Sequence, residues 1–456
     1  MIGTAEPQQI SLKPDQRFYC TWPWETAVLM SDGTIVCGCA DPFKKRPAGN
    51  AAVQSIAEIW NGRVFQELRR GFHTNNPHLC THCNLIQVVP LTGPQPPEEI
   101  RLSYLPRRLF VEPCVSCNLS CFEACCNHEN GIHFTRHNRL LDYNTYTKII
   151  DEIGPTLTRI DFFNYGESFI HPKAIDMIAY AKSRHPQIYL FSSTNGLLLN
   201  TEDKLQRLVK SGIDEITFSV DGARQESYEI YRRGGDFTKV FAIMKRLVEI
   251  KKEQNSETPF INWRYILFRW NDSDEEMNLA RRLAAEIDID KLCWEITDHP
   301  ENSASQRFVS NKPEYENIRH EIWSALGNAI PEKTLHATIH PKGKLWRAKQ
   351  GEPFQGMIEV INSGGAVWKN ASQRNRRHIT LGIQLLDQHQ QLLNRDFARL
   401  LLPRSLAANE CEVLELHATA PDKKGSYWLK LDMVCEGIEW FESCGSQAAC
   451  LELQVH

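Results

Sequence analysis

A chain of 456 residues is too long for one hydrophobic core and implies two or three domains. A net charge of −4 leaves no basic face for nucleic acid or an anionic membrane, and no run of about 18 apolar residues is present to span one. The polar first residues lack the apolar core of a secretory signal, so a cytoplasmic protein is expected, and its fifteen cysteines are an anomaly, because disulfide frameworks belong to short secreted chains.

The cysteines are unevenly placed. Cys20, Cys37, Cys39, Cys80 and Cys83 form a first group, and Cys114, Cys117, Cys121, Cys125 and Cys126 a second. Tight grouping predicts ligation of a metal or cluster. In the first group, a turn at Asp32-Gly33 separates two strand-like runs and sets Cys20 opposite Cys37 across a hairpin. Ile56, Ile59, Trp60 and Phe65 recur at helical spacing. Cys80-x2-Cys83 is a common metal knuckle, shared with zinc ribbons. A Pro-rich stretch over 90–106 follows as a linker.

From 107 to about 300, strand-like and helix-like runs alternate. Strands are predicted over 107–113, 159–168, 187–196, 215–222, 260–271 and 291–298, with helices over 143–154, 171–185, 202–212, 237–254 and 274–288. Such alternation implies a parallel sheet with right-handed crossovers. Six units fall short of the eight that close a barrel, so the expected class is α/β with a partial (β/α)6 barrel. The second cysteine group then occupies the first βα loop, at the face where such barrels build active sites. Thiolates this close suit a cuboidal iron–sulfur cluster or a zinc ion. Three of them on a four-iron cube leave one iron open. His128, His133 and His137 follow and are read as polar loop residues.

Beyond residue 345 the pattern changes. Strand-like runs at 353–364, 378–387, 411–421, 425–437 and 449–456, with no long helix between them, predict an antiparallel β-sandwich. Trp368, Trp428, Trp440 and Phe441 are candidates for a carbohydrate-binding face, although such aromatics more often form a sandwich core, and Cys411, Cys435, Cys444 and Cys450 are expected as free thiols.

Cys117-Asn-Leu-Ser-Cys121 resembles the opening of the radical S-adenosylmethionine (SAM) signature, Cys-x3-Cys-x2-Cys. Matching pieces end the next strands in order. Tyr165-Gly166-Glu167-Ser168 resembles the Gly-Gly-Glu-Pro stretch that holds the SAM amino group, where a carboxylate makes charge-assisted hydrogen bonds. Thr194-Asn195-Gly196 ends the third strand, Ser219-Val220-Asp221-Gly222 the fourth, near the SAM ribose, and Asn271 the fifth. The third signature cysteine should fall on Ala124, so the loop is one residue longer, and Cys125, with Cys126 as its rival, joins Cys117 and Cys121 as candidate ligands. The resemblance implies a [4Fe-4S] cluster and bound SAM, with cofactor contacts from Gly166, Glu167, Thr194, Asn195, Ser219, Asp221 and Asn271. It also implies an electron donor such as flavodoxin or ferredoxin, and reductive cleavage of SAM to a radical that takes hydrogen from a substrate. It names no catalytic side chain.

Residues 18–85 resemble a SPASM module, on the Asp32-Gly33 turn before Cys37, Gly49-Asn50, the SIAEIWNG and FQELR runs and the closing Cys80-x2-Cys83. Such modules usually follow the radical SAM domain, whereas here the module comes first. The resemblance implies one auxiliary [4Fe-4S] cluster held by Cys20, Cys37, Cys80 and Cys83, with Cys39 the alternate, and favours a peptide or protein substrate. The NSGGAVW and LDMVCEGIEWF runs resemble β-sandwich modules of bacterial sugar-transfer and cell-envelope enzymes, which favours a carbohydrate substrate, a sugar or aminocyclitol, instead. A non-catalytic metal-binding scaffold is the alternative of another class. The expected division is an auxiliary-cluster domain over 1–90, a radical SAM core over 107–300 and a sandwich over 345–456.

Overall fold

The computed structural model describes residues 12–38, 41–80, 83, 85–122, 135–297, 302–309, 312–318, 321–322, 335–343, 345–365, 368, 370, 378–435, 439–444 and 446–456. The chain divides into two units, Met1–Ile322 and Trp323–His456.

In the first unit, β1 (Gln16–Tyr19) leads through the short helix α1 (Trp22–Glu25) into strands β2 (Thr26–Leu29), β3 (Thr34–Val36) and β4 (Gly49–Asn50). The β2–β3 hairpin turns at Gly33, whose φ of +84° suits glycine and whose added Cβ would meet Asn50 Oδ1 at 2.8 Å. Helices α2 (Ile56–Trp60) and α3 (Arg63–His73) follow, α2 opening on a Ser55/Glu58 capping box. Ile56, Ile59, Trp60 and Phe65, expected on one apolar face, are all buried. Strand β5 (Gln87–Pro90) returns antiparallel to β1.

Six strands then alternate with helices as expected: β6 (Arg108–Val111), α4 (Tyr143–Ile153), β7 (Arg159–Asp161), α5 (Ala174–Arg184), β8 (Tyr189–Thr194), α6 (Glu202–Lys210), β9 (Glu215–Ser219), α7 (Gln225–Tyr231), α8 (Phe237–Glu253), β10 (Phe260–Leu267), α9 (Asp274–Glu286) and β11 (Lys291–Ile296). Helix α10 (Pro313–Ile318) comes after β11. Asp142, Thr201, Asp236 and Ser273 cap four of these helices, each accepting the backbone N–H three residues on. One sheet runs β11-β10-β9-β8-β7-β6-β2-β3-β4. Strands β6 to β11 are parallel, and β2 joins β6 in parallel register, so the first cysteine segment extends the same sheet. Alternate residues of the strands, Leu109, Ile160, Leu190, Ile216, Phe218 and Trp263, share a core with the helices. The residues between them face the other way, Phe110 among apolar neighbours and Asp161 clamped by Arg108 and Arg159 at 2.6 Å each.

The second unit has two sheets. One is antiparallel and runs β12 (Ala337–Pro341), β14 (Pro353–Asn362), β17 (Cys411–Thr419). The other runs β13 (Leu345–Ala348), β20 (Ala449–Val455), β18 (Gly425–Cys435), β15 (Ile379–Leu386), β16 (Leu392–Leu401), with β19 (Glu439–Trp440) on β18. Only its β13–β20 pair is parallel among the described strands of this unit. Ile358, Val360 and Leu416 of the first sheet share one core with Leu381, Leu429 and Leu453 of the second. Trp368 and Phe441 are fully buried there with ring centroids 5.5 Å apart, whereas Cys411 and Cys450 are exposed and Cys435 is buried. The Cys444 side chain lies outside the described atoms. Among the described residues, no helix is long and apolar enough to cross a membrane.

Candidate cluster and SAM site

The loop after β6 is anchored at both ends. Glu112, at its start, and Arg136, at its return, form a fully buried ion pair, with Nε–Oε1 at 2.8 Å and Nη2–Oε2 at 3.1 Å. Removing either partner would strand a buried charge. The N-terminal hairpin grips both: Ser31 N–H donates to Glu112, its hydroxyl to the Asn138 carbonyl at 2.8 Å, and Arg136 donates to the Pro42 carbonyl at 2.7 Å. Cys125, Cys126, His128 and His133 lie outside the described residues. Within them, Cys117 receives the Leu119 N–H at 3.5 Å, and burial pushes the Cys114 thiol up to about 11. Two backbone bonds, Ser120 N–H to Arg233 and Phe122 N–H to Tyr231, fasten the loop to the end of α7.

The end of β7 docks directly on this loop. A Cβ on Gly166 would lie 2.2 Å from the Cys114 carbonyl oxygen and 2.7 Å from that of Ser116, so only glycine fits. The next residue, Glu167, donates its N–H to Ser116 and is 3% exposed. Its Oε1 accepts from the Thr194 hydroxyl at 2.8 Å and Phe169 N–H at 3.2 Å, and its Oε2 from Asn195 N–H at 2.8 Å. Burial raises its pKa above the ordinary carboxylate value, while these hydrogen bonds pull the other way. Two carboxylate oxygens offer about four lone-pair directions, so acceptor capacity remains for a further donor. The Asn195 side chain donates to Asn118 Oδ1 at 2.9 Å and stands 3.9 Å from Cys117 Sγ.

Further along the sheet, the Ser219 hydroxyl lies 3.2 Å from that of Ser193 and accepts from Arg264 at 2.8 Å. Asp221 is fully buried, Oδ1 accepting from Ile266 N–H at 2.7 Å and Oδ2 from Arg232 Nε at 2.5 Å. Asn271, also fully buried, donates to the carbonyls of Asp221 and Ile266 at 3.0 Å each and accepts from Phe268 N–H at 2.6 Å.

The first cysteine group is assembled in space. Cys20, Cys37, Cys80 and Cys83 line one cavity, partly open to solvent, with Trp22, Leu68 and Arg46. Cys39 lies outside the described residues. Burial first, then the neighbouring thiols, pushes Cys80 up to about 12 and, with a Trp22 backbone hydrogen bond opposing, Cys20 to about 11. Thiolates in such a cavity need a cation to compensate them. Among the described residues, no three His, Cys, Asp or Glu side chains converge at single-ion spacing. Four thiols lining one cavity suit a multi-iron group, whereas the ligands of one zinc stand about 2.3 Å from a single point.

Residues 111–277 match the radical SAM superfamily, and residues 20–84 match SPASM, an iron–sulfur cluster-binding domain. The chain carries a radical SAM domain with a SPASM domain in front of it. The first implies a [4Fe-4S] cluster and SAM, and the second auxiliary iron–sulfur clusters. A tungsten-containing aldehyde ferredoxin oxidoreductase cofactor-modifying protein of Pyrococcus furiosus is 31% identical over 166 residues, 36% of this chain and 44% of that one. A GTP 3′,8-cyclase of Clostridium botulinum is 29% identical over 135 residues, 29% of this chain and 41% of that one. The chain thus spans less than half the length of these curated relatives. Among solved structures, methylornithine synthase aligns with 41% of this chain and 52% of its own at 16% identity, with a TM-score of 0.31.

Within the radical SAM domain, the predicted contacts separate into two sets, with Ser219 apart from both, bonded to Ser193 and Arg264. Gly166, Glu167, Thr194 and Asn195 meet at the cysteine loop. Asp221 and Asn271 are spent on the chain itself, tying the ends of β9 and β10 together. Sequence reasoning missed Arg232, whose Nη1 stands 3.7 Å from Cys121 Sγ. Its only sequence signal is an arginine pair, Arg232-Arg233, just past α7.

Proposed function

We propose that this radical SAM enzyme acts as an oxidoreductase or maturase that takes a hydrogen atom from a peptide or protein substrate. The observation that carries the reading is the buried Glu167 carboxylate, docked through Gly166 on the cysteine loop and held by Thr194 and Asn195. The chemistry supplied by the bound groups is reductive cleavage of SAM to methionine and a hydrogen-abstracting adenosyl radical. Cys117 and Cys121, with Cys125 or Cys126, hold the cluster. Glu167 accepts the SAM ammonium, Thr194 and Asn195 fix that carboxylate, and Ser219 offers a hydroxyl beyond it. Cys20, Cys37, Cys80 and Cys83 hold an auxiliary cluster, and the electron comes from a flavodoxin or ferredoxin. In this reading the parallel strands β6–β11 form a partial barrel and the two C-terminal sheets a β-sandwich, dividing the chain at 1–90, 107–300 and 345–456.

The SPASM domain supports a peptide substrate. The named relatives, a cofactor-modifying protein and a GTP cyclase, support a second reading with a small-molecule substrate, of which a sugar or aminocyclitol is the form the C-terminal strands suggest. The test is deuterium transfer into 5′-deoxyadenosine from deuterated peptides encoded beside the gene and, in parallel, from deuterated aminocyclitols. Label from the peptide alone supports the first reading, and label from the aminocyclitol alone replaces it with the second.

A further inference from the structure

The Arg232 guanidinium stands against a predicted ligand of the SAM-binding cluster. Its Nη1 stands 3.7 Å from Cys121 Sγ, and its side chain is 13% exposed. Three features fix it there. Asp221, itself fully buried, holds Nε at 2.5 Å, and Asp221 is pinned in turn by Ile266 N–H. The flanking backbone is bonded to the cysteine loop on both sides, through the Tyr231 and Arg233 carbonyls. The surroundings are apolar: Leu119, Tyr231 and Phe268 are buried with Cys121, and Phe122 and Trp270 pack against them. A hydrogen bond in such an enclosure is not diluted by water.

We propose that Arg232 is a positioning residue for the SAM-binding cluster, donating a hydrogen bond to the Cys121 thiolate and raising the cluster's reduction potential. Hydrogen bonds to the ligating sulfurs are an established lever on iron–sulfur potentials, because they stabilise the more negative, one-electron-reduced state. The electron is supplied by a low-potential donor, dithionite in the experiment below. The proposal rests on the reading of Cys121 as a ligand of that cluster.

The test is an EPR-monitored redox titration of the full-length, iron-replete protein, following the signal that changes when SAM is added. Arg232→Gln should lower its midpoint potential by about 59 mV, a tenfold change in the one-electron reduction constant. Arg232→Lys should shift it less, since charge is kept and the planar fork is lost. Arg233→Gln is the control: that guanidinium sits over the Phe122 ring at 4.3 Å, and its loss should leave the potential in place. An unshifted potential in Arg232→Gln, or an equal shift in Arg233→Gln, overturns the proposal. If Arg232→Gln fails to retain iron, Arg232→Lys decides, a lowered potential supporting the proposal and an unshifted one overturning it. A SAM-responsive signal that survives Cys121→Ala shows instead that the ligand assignment failed.

Discussion

Glu167 is a buried carboxylate with three donors already aimed at it, so its remaining acceptor capacity can meet one more cation. A hydrogen bond to a charged group contributes about 1.5–3 kcal/mol. Glu167→Gln keeps the shape and loses the charge, so the SAM dissociation constant should rise roughly 10- to 100-fold with iron content unchanged. Equilibrium dialysis checks this, and equal affinities would show that the carboxylate does not hold the ammonium. Burial raises the Glu167 pKa, so SAM affinity should fall as pH is lowered through that raised value, and the Gln variant should lose this dependence. A second residue predicts a stability effect. Asp432 in β18 is 1% exposed, and burial pushes its carboxyl up to about 6 despite the Glu442 N–H it accepts. Its folded pKa lies above the unfolded value near 4, so the fold binds the proton more tightly. Its stabilising contribution is therefore complete below about pH 4 and is lost as pH rises through about 6, at a cost of roughly 3 kcal/mol. Asp432→Asn should raise the melting temperature at pH 8 and leave it nearly unchanged at pH 4. An equal melting temperature at pH 8 would contradict this.

At the scale of elements, the SPASM hairpin both lines the four-cysteine cavity and braces the neighbouring loop through Ser31 and Pro42. The two roles use different residues. Changing Cys80 and Cys83 together to Ala should therefore remove about four irons per chain, spare SAM cleavage and stop product formation. Loss of SAM cleavage with the other cluster intact would join the roles that are separated here. The strands and helices of the βα region were legible because apolar residues such as Leu109, Ile160 and Phe218 alternate where sheet meets helix. Helix α7 was not, being seven residues long, too short for a periodic signal. Strand β16 hid because Leu392, Leu393 and Leu401 are exposed. Motifs pointed to Glu167, Thr194 and Asn271 alike, and only the structure shows that Asn271 bonds the Asp221 and Ile266 carbonyls. The Glu112–Arg136 and Asp221–Arg232 pairs join residues 24 and 11 positions apart, through folding that no local pattern encodes.

For the whole molecule, the chain divides into compact units after Ile322, and β12 at Ala337–Pro341, ahead of the sandwich proposed over 345–456, pairs with β14. A cut at Pro341 would separate β12 from that partner, whereas one after Ile322 keeps each unit entire. A chain ending at Ile322 should keep both clusters and still cleave SAM, as iron analysis and 5′-deoxyadenosine yield will show. Soluble, iron-replete truncated protein without cleavage would place part of the site in the C-terminal unit. The central claim, that Cys117 and the Glu167 pocket together generate a radical from SAM, is tested most directly by one quantity. That quantity is the 5′-deoxyadenosine formed from SAM by anaerobically reconstituted, dithionite-reduced protein. The account predicts slow formation by the native chain even without substrate and none by Cys117→Ala. No product from the iron-replete native chain, or undiminished product from the variant, would contradict it.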